Sequence, residues 1–150
     1  MWTMVALLLA AAQASPQAGA LPDALPLDAG TLSRLPAARA TFTAHGRTSQ
    51  CDGIWLADLA AAAGLPSGEA LRGPALRIAI VAEAADGYSA AFTLAELDAR
   101  LGNRPVLVAN RCDNAPLDAE SGPLRLVVPG EMRAARSVRQ LHSLKIRVVQ

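Results

Sequence analysis

The stretch ALRIAIVAEA, residues 75 to 84, followed directly by Ala85-Asp86-Gly87, constrains the fold of this chain more than any other. A nearly continuous apolar run of this length predicts a central strand, buried on both faces. Asp-Gly accepts the positive φ of a tight hairpin turn, so the chain is expected to return through YSAAF as an antiparallel neighbour.

The rest of the chain alternates short strands with short helices. ARATFTA puts Ala40, Phe42 and Ala44 on one face, as a half-buried strand does, and HGRTSQCDG is read as a loop. WLADLAAAAG places Trp55, Leu56, Leu59, Ala60 and Ala63 on one helical stripe, and Gly64 with Pro66 stops it. Thr93 and Glu96 have the spacing of a capping box, which starts a short helix over LAELDARLG closed by Gly102. TLSRLP gives a turn of helix ending at Pro36, PVLVAN, PLRLVVP and LKIRVV give strands, and RSVRQL gives at least one helical turn. The regular strand, long helix, strand rhythm of a doubly wound sheet is absent. The fold class is α+β, with mixed, mostly antiparallel sheets and short helices. No GxGxxG, P-loop, HExxH, CxxC or GxSxG spacing occurs, which removes the common dinucleotide, nucleotide, zinc and serine-hydrolase readings.

Residues 1–20, MWTMVALLLAAAQASPQAGA, read as a secretory signal peptide: an apolar run from Met4 to Ala12, then small-x-small sites for cleavage after Ala14 or Ala20. The run is far shorter than the roughly 20 apolar residues of a membrane span. The usual basic residues before it are missing, which leaves a weak N-terminal anchor as the other outcome. Residues 21–30 form a linker or extended lead-in, and 31–150 form one domain, a size that buries a sizeable core. The expected location is periplasmic or secreted.

Net charge is +1 with 18% charged residues, so no long-range field gathers nucleic acid or an anionic membrane, and 3% aromatics offer little to stack bases on. Any anion site must be local. Arg133, Arg136 and Arg139, at intervals of three after Pro129-Gly130, are the candidate. On a helix or tight turn they fall on one side, near free N–H groups, where phosphate binds; a solvated basic face is the plainer alternative. The two cysteines, Cys51 and Cys112, either pair as a disulfide suited to an exported chain or pack as separate thiols. Asp113, Asp118 and Glu120 lack the spacing of a calcium loop.

The segment GPLRLVVPGEMRAARSVRQLHSLKIRVV resembles the end of the sulfite-oxidase-type molybdopterin-binding domain, with its PLRxVVPG strand, GARSVKWL turn and final I-x-V strand. DGIWLADLAAAAGLP and AADGYSAAFTLAEL are similar to further parts of that domain, so the likeness covers residues 31 to 149. It implies that fold, a molybdenum-molybdopterin cofactor, oxo transfer to or from a small substrate, and a separate redox partner protein. Carried over residue by residue, it implies cofactor contacts from Arg136, Ser137, Val138 and Arg139, with Arg139 in place of a lysine, Ala134 in place of a glycine and Gln140 in place of a tryptophan. Catalytic members supply a thiolate at the end of the strand that here reads ATFTA. No cysteine stands there; His45 holds the nearest place and Cys51 lies further along. Three readings stay open: Cys51 as a replacement metal ligand, His45 as a stand-in at the cofactor, or no metal at all. Two functions follow: an exported oxidoreductase, or a metal-free binding or accessory module of the same fold that recognises an anionic ligand or partner protein.

Overall fold

The computed structural model describes residues 19–150. Helix α1 (Ala29–Leu32) leads into strands β1 (Ala38–Ala44) and β2 (Arg47–Trp55), followed by α2 (Leu56–Ala62), β3 (Ile78–Ala84) and β4 (Ser89–Thr93). Helix α3 (Leu94–Leu97) precedes β5 (Leu107–Cys112), β6 (Ala115–Pro116), β7 (Arg125–Val127) and β8 (Leu141–Val148). Two sheets result. One runs β1-β2-β5-β6, with β7 also on β5; the other runs β4-β3-β8. Every pairing is antiparallel. Ile78–Ala84 of the apolar run is the central strand of its sheet, Ala75–Arg77 ahead of it belonging instead to a 3-10 helix, Gly73–Arg77, and the hairpin closes through Asp86, whose Oδ1 accepts from Tyr88 N at 3.0 Å.

The main core joins the two sheets: Ile54, Val108 and Leu126 from one, Ile80, Phe92 and Leu144 from the other, with Leu56, Leu59 and Leu94 from the helices. Residues of β5 alternate. Val108 enters this core while Leu107 and Ala109 face a second cluster with Ala40, Cys51 and Val127. That strict alternation fixes the register, because a one-residue slip would turn apolar side chains to the wrong face.

Three expectations change. HGRTSQCDG is no loop: β2 pairs with β1 from Arg47 onward, and His45 and Gly46, at φ 51° and 73°, form a two-residue turn between them. Positive φ at both central residues matches the right-handed twist of the flanking strands. The helix over 94–102 ends at Leu97, because Asp98 turns its carboxylate to accept from Gly68 N at 2.7 Å and Arg100 N at 2.9 Å. Its capping box is present, Thr93 and Glu96 exchanging both bonds. The turn after β7 is a three-residue 3-10 helix, Ala134–Arg136, too short to align arginines three apart. Residues 21–30 include an extended piece pinned to β8, with Leu25 buried and its N–H donating to Leu144 O at 2.8 Å. The expected signal peptide lies almost wholly outside the described residues.

Candidate functional site

A groove of about 1290 Å³ opens between three segments: the β1–β2 turn from Phe42 to Arg47, the connection from Asp113 to Ser121, and the stretch from Met132 to Arg139. It is larger than an ordinary small-molecule pocket, which takes up roughly 300–1,000 Å³. Of the expected site residues, His45, Ser137, Val138 and Arg139 line it together. Residues 92 positions apart in sequence, His45 and Ser137, thus share one recess.

The charge at its floor is Arg125, which the sequence reading had passed over as one residue of a strand. Arg125 is only 8% exposed. Its Nε donates to Leu126 O at 3.3 Å and its Nη2 to Ser137 O at 3.1 Å, while its guanidinium carbon lies 4.3 Å from the centre of the Phe42 ring. Among the described residues it makes no ion pair. Burial pushes its pKa down; the nearby charge of Arg139 adds to this, and Asp118 opposes it. Four arginines (Arg47, Arg125, Arg133 and Arg139) and four carboxylates (Asp86, Asp113, Asp118 and Glu120) line the recess, and among the described residues neither Arg125 nor Arg139 is ion-paired, which leaves both able to meet an anion. The visible signal in the sequence was an arginine between Leu124 and Leu126, inside a strand too apolar to carry an idle charge.

Ser137 brackets this arrangement. Its carbonyl takes the Arg125 bond, and its Oγ accepts from Val128 N at 3.0 Å, fixing the 137–139 turn against the end of β7. Gln140 donates from Nε2 to Ala119 O at 2.7 Å and from N to Ser121 O at 2.8 Å, tying the 137–140 turn to the opposite wall.

Arg136 is corrected. It does not line the groove. Its guanidinium donates to Glu96 Oε1 at 2.7 Å, to Glu131 Oε1 at 3.0 Å from Nε and 2.5 Å from Nη2, and to Ala91 O at 3.1 Å, above the Phe92 ring at 4.6 Å. Burial alone would lower its pKa, but the bonds to Glu131 and Glu96 outweigh that and hold it up. Two carboxylates and a carbonyl thus take four of its five N–H donors, away from the groove.

Cys51 is corrected as well. It stands opposite Cys112 across β2 and β5, Cα to Cα 4.0 Å, and their sulfurs are bonded. A sulfur in a disulfide carries no thiolate, and Cys51 is fully buried. Cys112 does reach the groove lining. A second depression, about 290 Å³, lies beside Arg39, Gln50, Asp52 and Asp113; Arg39 Nε meets Asp52 Oδ1 there at 2.7 Å, and Asp113 Oδ1 accepts from Gln50 N at 3.0 Å.

Residues 37–149 match the oxidoreductase molybdopterin binding domain family, over three quarters of the chain and across every wall of this groove. The chain belongs to that family. No curated protein matches it. A molybdopterin-binding domain must hold a phosphorylated pterin, and the arginine end of the groove fits that task. The metal end fits less well. Molybdenum favours soft thiolate, yet both cysteines are joined to each other, and among the described residues no group of three or more His, Cys, Asp or Glu is placed to hold a metal. The residues present suit the organic, anionic part of the cofactor, and neither cysteine, joined as they are, offers a thiolate to a metal.

Proposed function

We propose that this molybdopterin-binding domain is an exported binding module whose groove takes the phosphorylated end of a pterin-type ligand. One observation carries the reading: Arg125, nine-tenths buried, opens onto the groove beside Arg139 with no carboxylate paired to it. Burial of Arg125 against the Phe42 ring strengthens each charge-assisted bond it makes to such a ligand, because water competes poorly there. Arg125 orients the anion from below, Arg139 meets it from the exposed side, and Ser137 keeps the two in register. Export is supported by the apolar leader and by the disulfide, which persists in oxidising compartments.

Oxo transfer at a molybdenum-pterin centre, with a separate redox partner, is the second reading, and family membership favours it. One experiment separates them. The mature domain is produced in a host that makes the cofactor, and molybdenum and released pterin are measured per chain. The binding module is expected to carry pterin or phosphate without stoichiometric molybdenum. One molybdenum per chain would overturn it in favour of the enzyme. A folded chain with neither pterin nor measurable affinity for inorganic pyrophosphate would remove the ligand groove altogether.

A further inference from the structure

We infer that Phe42 is the positioning residue of the anion site, setting the direction in which Arg125 presents its free hydrogen-bond donors. The inference rests on the reading of the groove as an anion binder and adds how that site is held ready. An arginine side chain has four rotatable bonds, and in open water its guanidinium samples many orientations. Arg125 cannot. One face lies on the Phe42 ring, 4.3 Å from the ring centre, and the Nε and Nη2 edges are fixed by Leu126 O and Ser137 O. Among the described residues Nη1 donates to no protein acceptor, and no buried side-chain nitrogen is left unsatisfied, so Nη1 is the edge turned to solvent. Arg125 and Phe42 both line the groove. The ring thus acts as a stop: it removes hydration from one guanidinium face, attracts the cation through its π electrons, and leaves Nη1, with the second N–H of Nη2, to meet the ligand.

Sequence position supports a role beyond filling space. Phe42 sits on β1, the edge strand of its sheet, and is half-buried, with Ala38 and Ala40 as its inward-facing neighbours along the strand. Small residues there would satisfy the strand; the aromatic ring is the one large group on that face of β1, and what it covers is a cation. Arg125 arrives from β7, a strand that does not pair with β1, so the stack is a contact across the sheet, over the top of β2 and β5.

The test compares Phe42→Leu, Phe42→Met, Phe42→Tyr and Phe42→Trp in the disulfide-bonded mature domain. Affinity for inorganic pyrophosphate is measured by calorimetry at fixed ionic strength, and the thermal midpoint is measured beside it. If the ring positions Arg125, Leu and Met weaken binding by about five- to tenfold, the range of a partly desolvated cation–π contact, while Tyr and Trp restore it. The Arg125 Nε–Hε proton, shielded by the ring in the wild type, moves downfield in the Leu and Met variants and returns in Tyr. A merely structural residue would show affinity following side-chain volume and thermal midpoint instead of aromaticity. Binding unchanged in Phe42→Leu, or lost equally in all four variants, overturns the inference and leaves the anion site standing. A folded wild-type chain that ignores pyrophosphate overturns the anion reading and this inference with it.

Discussion

Arg136 Nη1 lies 2.7 Å from Glu96 Oε1, a contact that joins the turn after β7 to the first turn of α3 across 40 residues of chain. The other oxygen of Glu96 accepts from Thr93 N at 3.1 Å, so one carboxylate closes the cap of α3 and anchors the 3-10 turn. Arg136→Ala leaves Glu96 and Glu131 without their shared cation. It is expected to cost about 1–3 kcal/mol in urea unfolding, while the folded fraction keeps near wild-type affinity for pyrophosphate. Loss of affinity with unchanged stability would return Arg136 to the ligand site.

Arg125→Met has the opposite signature. Removing a buried cation that lacks an ion pair relieves a desolvation cost, so stability should change by less than about 1 kcal/mol. Pyrophosphate affinity should fall at least about tenfold, the scale of one hydrogen bond to a charged group. A large fall in the unfolding midpoint would mean that Arg125 serves the fold and not a ligand.

The disulfide closes a loop with a sequence separation of 61. In the chain-entropy account, replacing both cysteines by alanine lowers stability by about 4 kcal/mol. The ladder of β2 and β5 supplies the remaining alignment, so the double variant is expected to fold with a lower midpoint and the same circular dichroism. Gain of a stoichiometric soft metal by the reduced wild-type chain would revive Cys51 as a ligand.

Gly53→Ala tests the closest approach in the five-stranded sheet. A Cβ there would stand 1.9 Å from Val108 O and 2.7 Å from its carbonyl carbon, at the bulge where the β2–β5 register shifts. Backbone cannot yield as a side-chain tip does. The substitution should cost at least about 3 kcal/mol, read as a lost or strongly lowered thermal transition.

Acid should weaken the connection between Asp98 and the 67–70 turn. Backbone N–H bonds, from Gly68 first and then Arg100, hold the Asp98 pKa below the ordinary carboxylate value. A depressed folded-state pKa contributes stability that is fully present above the unfolded pKa, roughly 3.9, and is lost as pH falls through the folded value. The midpoint should therefore stay level, as far as this residue is concerned, from neutral pH down to about 5, and fall more steeply below 4 in the wild type than in Asp98→Ala. Equal slopes in the two proteins would dismiss the contribution.

The parts of the fold that were legible were those where local chemistry and burial agree. ALRIAIVAEA, the Asp86 turn and the Thr93 capping box are each decided within a few residues. β2 escaped notice because Arg47 to Gly53 is polar on the outer face and carries only Cys51 fully inward, so there is no alternation to read. Its pairing partners decide it. The Cys51–Cys112 bond was open for the same reason, since only the register of β2 against β5 brings the two together. Ser137, Val138 and Arg139, singled out through a motif, line the groove, while Arg136 of the same motif lies outside it: spacing of three says nothing of where Glu96 and Glu131 lie. Arg125 was missed because a strand pattern treats every residue between two leucines as background.

The bracket at Ser137 has a last consequence. Its carbonyl restrains the floor arginine and its hydroxyl ties down the end of β7, so this segment, part of the stretch that matches the family, is also a girder of the architecture. A lineage that discarded turnover would keep the signature for mechanical reasons alone. Retention of this segment is then no measure of turnover, because the scaffold alone requires it.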